Sequence, residues 1–160
     1  MKEAGLQDGI KVTLKLPPPP YARRGGEIIA SQLREIGIDC EIVPVEWADW
    51  LQQVFKDKNF DLTIVSHTEP NDIDIYSRKD YYFGYDNPTF DKVIEELNAT
   101  SDEAKRKELY GQAQKILADD AVVGFLFELA RMNVWDAKLE GLWVNAPIQA
   151  NDLTKVHWTE

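Results

Sequence analysis

Along residues 10–16 the apolar Ile10, Val12, Leu14 and Leu16 alternate with Lys11, Thr13 and Lys15. This period of two predicts a strand with one buried face. Pro17 to Pro20 follow, and four prolines in a row predict a stiff extended loop. The period then changes. Ile29, Leu33 and Ile36, flanked by Ile28, predict a helix over 22–36 that Gly37 ends. A second apolar run, 38–45, predicts a strand whose pairing weakens at Pro44. Residues 48–57 predict a short helix with Trp50, Leu51, Val54 and Phe55 on its apolar side. Residues 60–65, Phe-Asp-Leu-Thr-Ile-Val, predict a third strand. Strand, helix, strand, helix, strand with short connections is the pattern of a parallel βαβαβ unit. Ligands of such sheets sit off the carboxyl ends of the strands. That rule singles out the loops 17–22, 44–48 and 66–76.

The stretch 66–87 has no clear period and holds Tyr76, Tyr81, Tyr82, Phe83 and Tyr85 among acidic and amide residues. A polar loop of this length is often functional, although its aromatics also serve to pin it to a core. Pro88 suits the first position of a helix capped by Asn87, with Phe90, Val93, Ile94 and Leu97 on one face. Ser101 or Thr100 is expected to cap a helix over 102–119, with Leu109, Tyr110, Ala113, Ile116 and Leu117 as its buried stripe. Ala121 to Leu129 is largely apolar and reads as another strand. The tail 130–160 carries Trp135, Trp143 and Trp158 with little periodicity. The fold class expected is therefore α/β: a mainly parallel sheet flanked by helices, with a C-terminal strand and an irregular tail.

Two glycines refine this picture. Gly25-Gly26 lies inside a helix pattern and not in a strand-to-helix turn, so it is no dinucleotide fingerprint. It predicts instead that a neighbouring element packs closely there. The start, Met1 to Leu6, reads as the last turn of a helix with Gly5 at its end, so a preceding portion of chain is expected.

Charge narrows the function classes. The 160 residues carry 18 basic and 28 acidic side chains, a net charge of −10. No basic block offsets this, which argues against nucleic acid and anionic membrane surfaces as partners. The single cysteine, Cys40, allows no intrachain disulfide and reads as a small packed side chain. One cysteine and two histidines argue against a zinc site. No stretch reaches the ~20 apolar residues of a membrane span.

Catalytic constellations are not evident. The chain has no G-x-S-x-G elbow, no phosphate loop and no H-E-x-x-H, and nothing calls for a cofactor or metal. Asn71-Asp72-Ile73-Asp74 lacks the remaining ligands of a calcium loop. Glu69 with Asp72 or Asp74 makes an acid pair only on paper. The candidates for a binding wall are Tyr21 after the first strand, Trp47 after the second, and His67, Glu69 and Asn71 after the third. Aromatic rings there stack on a small ligand and a carboxylate holds an amine. Each is equally compatible with packing or a solvated surface. Two alternatives stay open: a hydrolytic α/β enzyme using Glu69 or Asp72 with His67, and a non-catalytic interaction domain.

An ordered set of short motifs carries a resemblance. It comprises Lys11-Val-Thr-Leu, Tyr21-Ala-Arg-Arg, Gln32-Leu-Arg-Glu-Ile-Gly-Ile, Pro44-Val-Glu-Trp and Phe60-Asp-Leu-Thr-Ile-Val-Ser-His. It continues with Tyr82-Phe-Gly-Tyr-Asp-Asn-Pro-Thr-Phe-Asp, Glu108-Leu-Tyr-Gly-Gln-Ala-Gln-Lys-Ile-Leu and Asp119-Asp-Ala. Together these resemble the C-terminal part of the extracellular solute-binding proteins of family 5, the receptors of ABC importers. The resemblance implies one lobe of a type II periplasmic binding protein over 1–144, with 145–160 a tail or return segment. It implies an N-terminal lobe and an export signal upstream, a periplasmic location and an ABC permease as partner. It implies capture of a peptide or other small solute without covalent chemistry, with Glu69 receiving a peptide amino group. Dipeptide-type members carry an arginine in the first loop, where this chain has Pro17–Pro20 and Tyr21 and no arginine before Arg23. Sugars and other amphipathic solutes therefore stand beside peptides. An isolated lobe would expose the face that meets its partner lobe, so a dimer of the chain is a further expectation.

Overall fold

The computed structural model describes residues 2–69, 72–129, 132–144 and 152–160. Asn71 and the first part of the expected tail, 145–151, lie outside them. The chain divides into two compact units. The first comprises residues 1–67 and 75–87, the second residues 68–74 and 88–160.

The first unit holds the parallel sheet. Strand β1 (Ile10–Leu16) pairs in parallel along its whole length with β2 (Ile38–Pro44), from Ile10 opposite Ile38 to Leu16 opposite Pro44. Pro44 closes the ladder, and Val45 N–H then donates to Leu16 O at 2.9 Å. On its other side β1 pairs with β3 (Leu62–Thr63), giving the order β2-β1-β3. The third strand is shorter than the expected 60–65. Where a longer strand would run, the Asp61 carboxylate accepts hydrogen bonds from Thr13 N–H and Thr13 Oγ1, each 2.8 Å. A side chain thus occupies the ladder position, and pairing stops there.

Helix α1 (Pro20–Glu35) connects β1 to β2 and begins two residues before the expected start. Pro20 lacks the N–H that a first helical residue leaves unpaired anyway, and its ring fixes a helical φ, so it belongs to the helix and not to the loop. Gly37 follows the helix with φ 87°, as its role as terminator requires. The helix covers one face of the sheet through Leu14, Leu16, Ala30 and Cys40, all buried, with Val12, Leu33, Ile42 and Ile64 against them. Burying each aliphatic side chain of leucine size stabilises by about 1.5–3 kcal/mol. The close approach read from Gly25-Gly26 falls on Gly26: a Cβ there would lie 2.3 Å from Leu16 Cδ1.

The second helix starts as α2 (Trp47–Asp49) and continues as a π-helix over Trp50–Lys56, closed by Asp57 N–H to Gln52 O at 2.9 Å. Trp50 and Val54 are buried, Phe55 lays its ring against Trp50, Tyr81 and Tyr82 while keeping one side exposed, and Leu51 is about half exposed.

The second unit packs α3 (Pro88–Ala99) against α4 (Glu103–Asp119). Phe90, Val93, Ile94 and Leu97 are buried as their spacing predicts. In α4 the buried stripe narrows to Leu109, Ala113 and Leu117. Its cap is Asp102, whose Oδ1 accepts from Lys105 N–H at 2.7 Å, and neither Ser101 nor Thr100. The strand expected at 121–129 is absent. Phe125, Leu126, Phe127 and Leu129 are exposed there, and β-forming residues without a neighbouring strand have nothing to donate to. The tail contributes instead a short antiparallel pair, β4 (Leu139–Glu140) with β5 (His157–Trp158). No helix among the described residues is long and apolar enough to cross a membrane.

Candidate functional site

With β1 central, the chain runs out from β1 to β2 and then back past β1 to β3, so successive crossovers run in opposite directions. This makes a topological switch point between β1 and β3, at the carboxyl ends of the strands. Three loops of the first unit meet at that edge. Tyr21, in the first turn of α1, accepts a hydrogen bond at its hydroxyl from Ser66 N–H beyond β3, at 2.9 Å. This bond spans the switch point. Arg23, two residues on, reaches the second loop, with Nη2 3.3 Å from Glu46 Oε1. Both side chains are substantially exposed, so the pair contributes little net stability. Arg23 Nε is buried with no hydrogen-bond partner among the described residues.

Trp47 opens α2 and is 42% exposed. Its ring stands edge-on to Trp50, with centroids 5.7 Å apart. Trp50 is buried and held, since Nε1–H donates to Thr63 Oγ1 at 2.9 Å and that hydroxyl donates to Lys15 O at 2.7 Å. Trp47 thus presents an apolar face on a rigid support, as a stacking platform requires.

His67 lies past β3, partly exposed. Its Nε2 is 3.1 Å from the Tyr82 hydroxyl, and the two rings are nearly parallel, 8° apart, with centroids at 6.1 Å. Tyr82 is buried in an aromatic cluster with Val45, Trp50 and Val54, against which Phe60, Tyr81 and Phe83 pack. Burial, and then the neighbouring Tyr81, push the Tyr82 phenol far above the ordinary tyrosine value, so it stays neutral. The sequence marked Tyr82 only as one aromatic of a long polar loop, and its contact with His67 is a product of the fold.

The structure therefore brings Tyr21, Trp47 and His67 to one edge of the first unit's sheet. Glu69 and Asp72 belong to the second unit, Glu69 exposed and Asp72 at the start of a 3-10 turn over Asp72–Ser77. Among the described residues no three His, Cys, Asp or Glu side chains are placed to hold a metal ion. A shallow recess lined by Lys11, Thr13, Asp39, Glu41 and Asp61 lies at the opposite, amino-terminal half of β1 and β2, away from the loops.

No family model matches the chain. It is 31% identical to the dipeptide-binding protein of Escherichia coli strain K12 over 137 residues, which cover 76% of this chain and 25% of that protein. It is 25% identical to di/tripeptide-binding protein 1 of Pseudomonas aeruginosa strain UCBPP-PA14 over 166 residues, covering 91% of this chain and 31% of that protein. The chain thus spans a quarter to a third of the length of these relatives. Its fold matches the crystal structure of a dipeptide binding protein from Pseudoalteromonas sp. SM9913 in complex with Met-Leu, with a TM-score of 0.71. That match covers 98% of this chain and 34% of that one at 21% identity. The chain is homologous to a segment of the dipeptide- and oligopeptide-binding periplasmic proteins of solute-binding protein family 5, and shares the type II periplasmic-binding-protein fold.

Proposed function

We propose that the chain supplies one wall of a peptide-binding site in a periplasmic receptor that delivers its ligand to an ABC permease. The observation that carries this reading is the meeting of three loops at the switch point, tied by Tyr21–Ser66 and Arg23–Glu46, with Trp47 exposed on a buried support. The relatives' names, dipeptide-binding and di/tripeptide-binding, supply the ligand class. Tyr21, Trp47 and His67 contact the ligand, with Glu69 and Asn71 added from their place in the sequence after β3. The ligand is bound and released unchanged, with no covalent step and no cofactor. Residues 1–144 form the ligand-binding lobe, 145–160 its tail, and an upstream lobe closes over the peptide. The exposed Phe125, Leu126, Phe127 and Leu129 drive self-association where that lobe is absent.

One wall makes only part of the contacts, so binding by the chain alone falls near the millimolar range, roughly −4 kcal/mol. A titration of the isotope-labelled chain with dipeptides, followed by amide NMR shifts, measures it. The expected result is a set of shifts confined to 17–22, 44–48 and 66–67 of the first unit that Trp47→Ala abolishes. Shifts scattered over both units, or unchanged in Trp47→Ala, refute the assignment.

A further inference from the structure

Tyr82 and His67 raise a question that the loop geometry alone leaves aside: which nitrogen of His67 carries the proton. The two groups share one hydrogen bond, Nε2 to the Tyr82 hydroxyl at 3.1 Å. Two arrangements satisfy that distance. In one, Nε2–H donates to the Tyr82 oxygen. The phenolic proton then needs another acceptor, and the Tyr82 side chain has none among the described residues. Tyr82 is 7% exposed and packed among Trp50, Val54, Phe60, Tyr81 and Phe83, so an unmade donor there carries the cost of a buried unsatisfied polar group. In the other arrangement the Tyr82 hydroxyl donates to a bare Nε2. The phenolic proton is satisfied, and the imidazole proton sits on Nδ1, where the ring is partly exposed and water or a ligand receives it. The second arrangement leaves nothing buried unpaired. Because the phenol stays neutral, this donor is retained whenever the imidazole is neutral too.

We propose that Tyr82 is a positioning residue that fixes His67 as the Nδ1–H tautomer, so that the ring edge beyond β3 offers a hydrogen-bond donor to an oxygen acceptor of the bound peptide. The near-parallel rings hold the edge in one orientation, and the aromatic cluster holds Tyr82. Nδ1 makes no hydrogen bond to any described residue, which leaves it for the ligand. This inference names a recognition element of the same site and rests on the peptide-binding reading above.

The tautomer is measurable on the free chain. Long-range proton–nitrogen NMR distinguishes a protonated from a bare ring nitrogen, and His67 and His157 are the chain's only histidines. His157→Gln therefore assigns the remaining signals. At a pH well above the ordinary histidine range, His67 is expected to show a protonated Nδ1 and a bare Nε2. Tyr82→Phe keeps the ring and removes the hydroxyl, and is expected to move the balance towards Nε2–H. A wild-type spectrum dominated by Nε2–H, or a balance unchanged in Tyr82→Phe, overturns the proposal. Addition of the dipeptide Met-Leu at millimolar concentration is expected to shift the Nδ1 proton. His67→Phe, which keeps an aromatic ring but has no donor, is expected to weaken that binding roughly 2- to 10-fold. Dipeptide shifts at Trp47 that leave Nδ1 of His67 unmoved sink the ligand contact while sparing the receptor reading. A chain that shows no dipeptide shifts at all sinks that reading and the ligand contact with it, and the tautomer is still decided by the free spectrum.

Discussion

Gly25 and Gly26 are adjacent in one helix, and replacing each by alanine separates backbone propensity from packing. An alanine in a helix interior is favoured over glycine by about 0.8–1.0 kcal/mol. Gly25→Ala should gain about that much, because the nearest atom to a new Cβ is Ile64 Cδ1 at 4.0 Å. Gly26→Ala has the same propensity gain but meets Leu16, with Cδ1 at 2.3 Å, Cδ2 at 3.0 Å and Cγ at 3.2 Å. Turning the end of the leucine does not clear Cγ, and Leu16 is 0% exposed, so its whole side chain has to shift into a filled core. Overpacking of this kind costs about 1–3 kcal/mol. The two variants should therefore differ by about 1–3 kcal/mol, Gly25→Ala above the wild type and Gly26→Ala at or below it. With a urea m-value near 2 kcal/mol/M, that is a separation of roughly 0.5–1.5 M in unfolding midpoint. Urea titrations followed by circular dichroism measure it. The same contact sets how far α1 stands from β1, and Tyr21 is on α1, so Gly26→Ala should also disturb the Tyr21–Ser66 bond across the switch point. Equal midpoints for the two variants would refute the argument, since they would mean that the leucine yields at no cost.

Two further perturbations follow from the same sheet. Thr63→Val is nearly isosteric, but it removes the acceptor of Trp50 Nε1–H and the donor to Lys15 O; the expected loss is about 1–3 kcal/mol in a urea titration, with Trp47 emission altered as its support loosens. The Asp61 carboxyl is held below its ordinary value near 3.8, first by Thr13 N–H and then by the Thr13 hydroxyl. A depressed folded-state pKa contributes stability that is present above the unfolded value and lost as pH falls through the lowered one. Wild type should therefore exceed Asp61→Ala in melting temperature at neutral pH, with the gap closing only in acid below the ordinary aspartate range; a gap that does not change with pH contradicts the assignment.

How far the pattern of residues carries is clearest element by element. The alternation in 10–16 and the helical spacing of Phe90, Val93, Ile94 and Leu97 were legible because each is a local period that only one kind of backbone can bury. The close packing at Gly26 was legible as a missing side chain, although not its partner Leu16. The run 121–129 misled, since β propensity describes a fit to neighbouring strands and no strand pairs with it. The short helix misled differently. Of the apolar side expected there, Trp50 and Val54 are buried and Phe55 packs its ring against Trp50, Tyr81 and Tyr82, while Leu51 is left about half exposed because no neighbouring element among the described residues covers it.

The site divides along the same line. Local order placed Tyr21, Trp47 and His67 after successive strands, and the parallel βαβαβ pattern already put those strand ends on one edge. The sequence by itself thus determined the β1-helix-β2-helix-β3 order of the first unit, the edge and the candidate rings, because these rest on interactions within a few residues. Only the tertiary structure decided that Tyr21 reaches Ser66 across the switch point, that Thr63 supports Trp50, and that Tyr82 stands behind His67. Such contacts join residues 13 to 45 positions apart. They depend on strand register and on which side chains a filled core excludes, and neither is written in any local period of the chain.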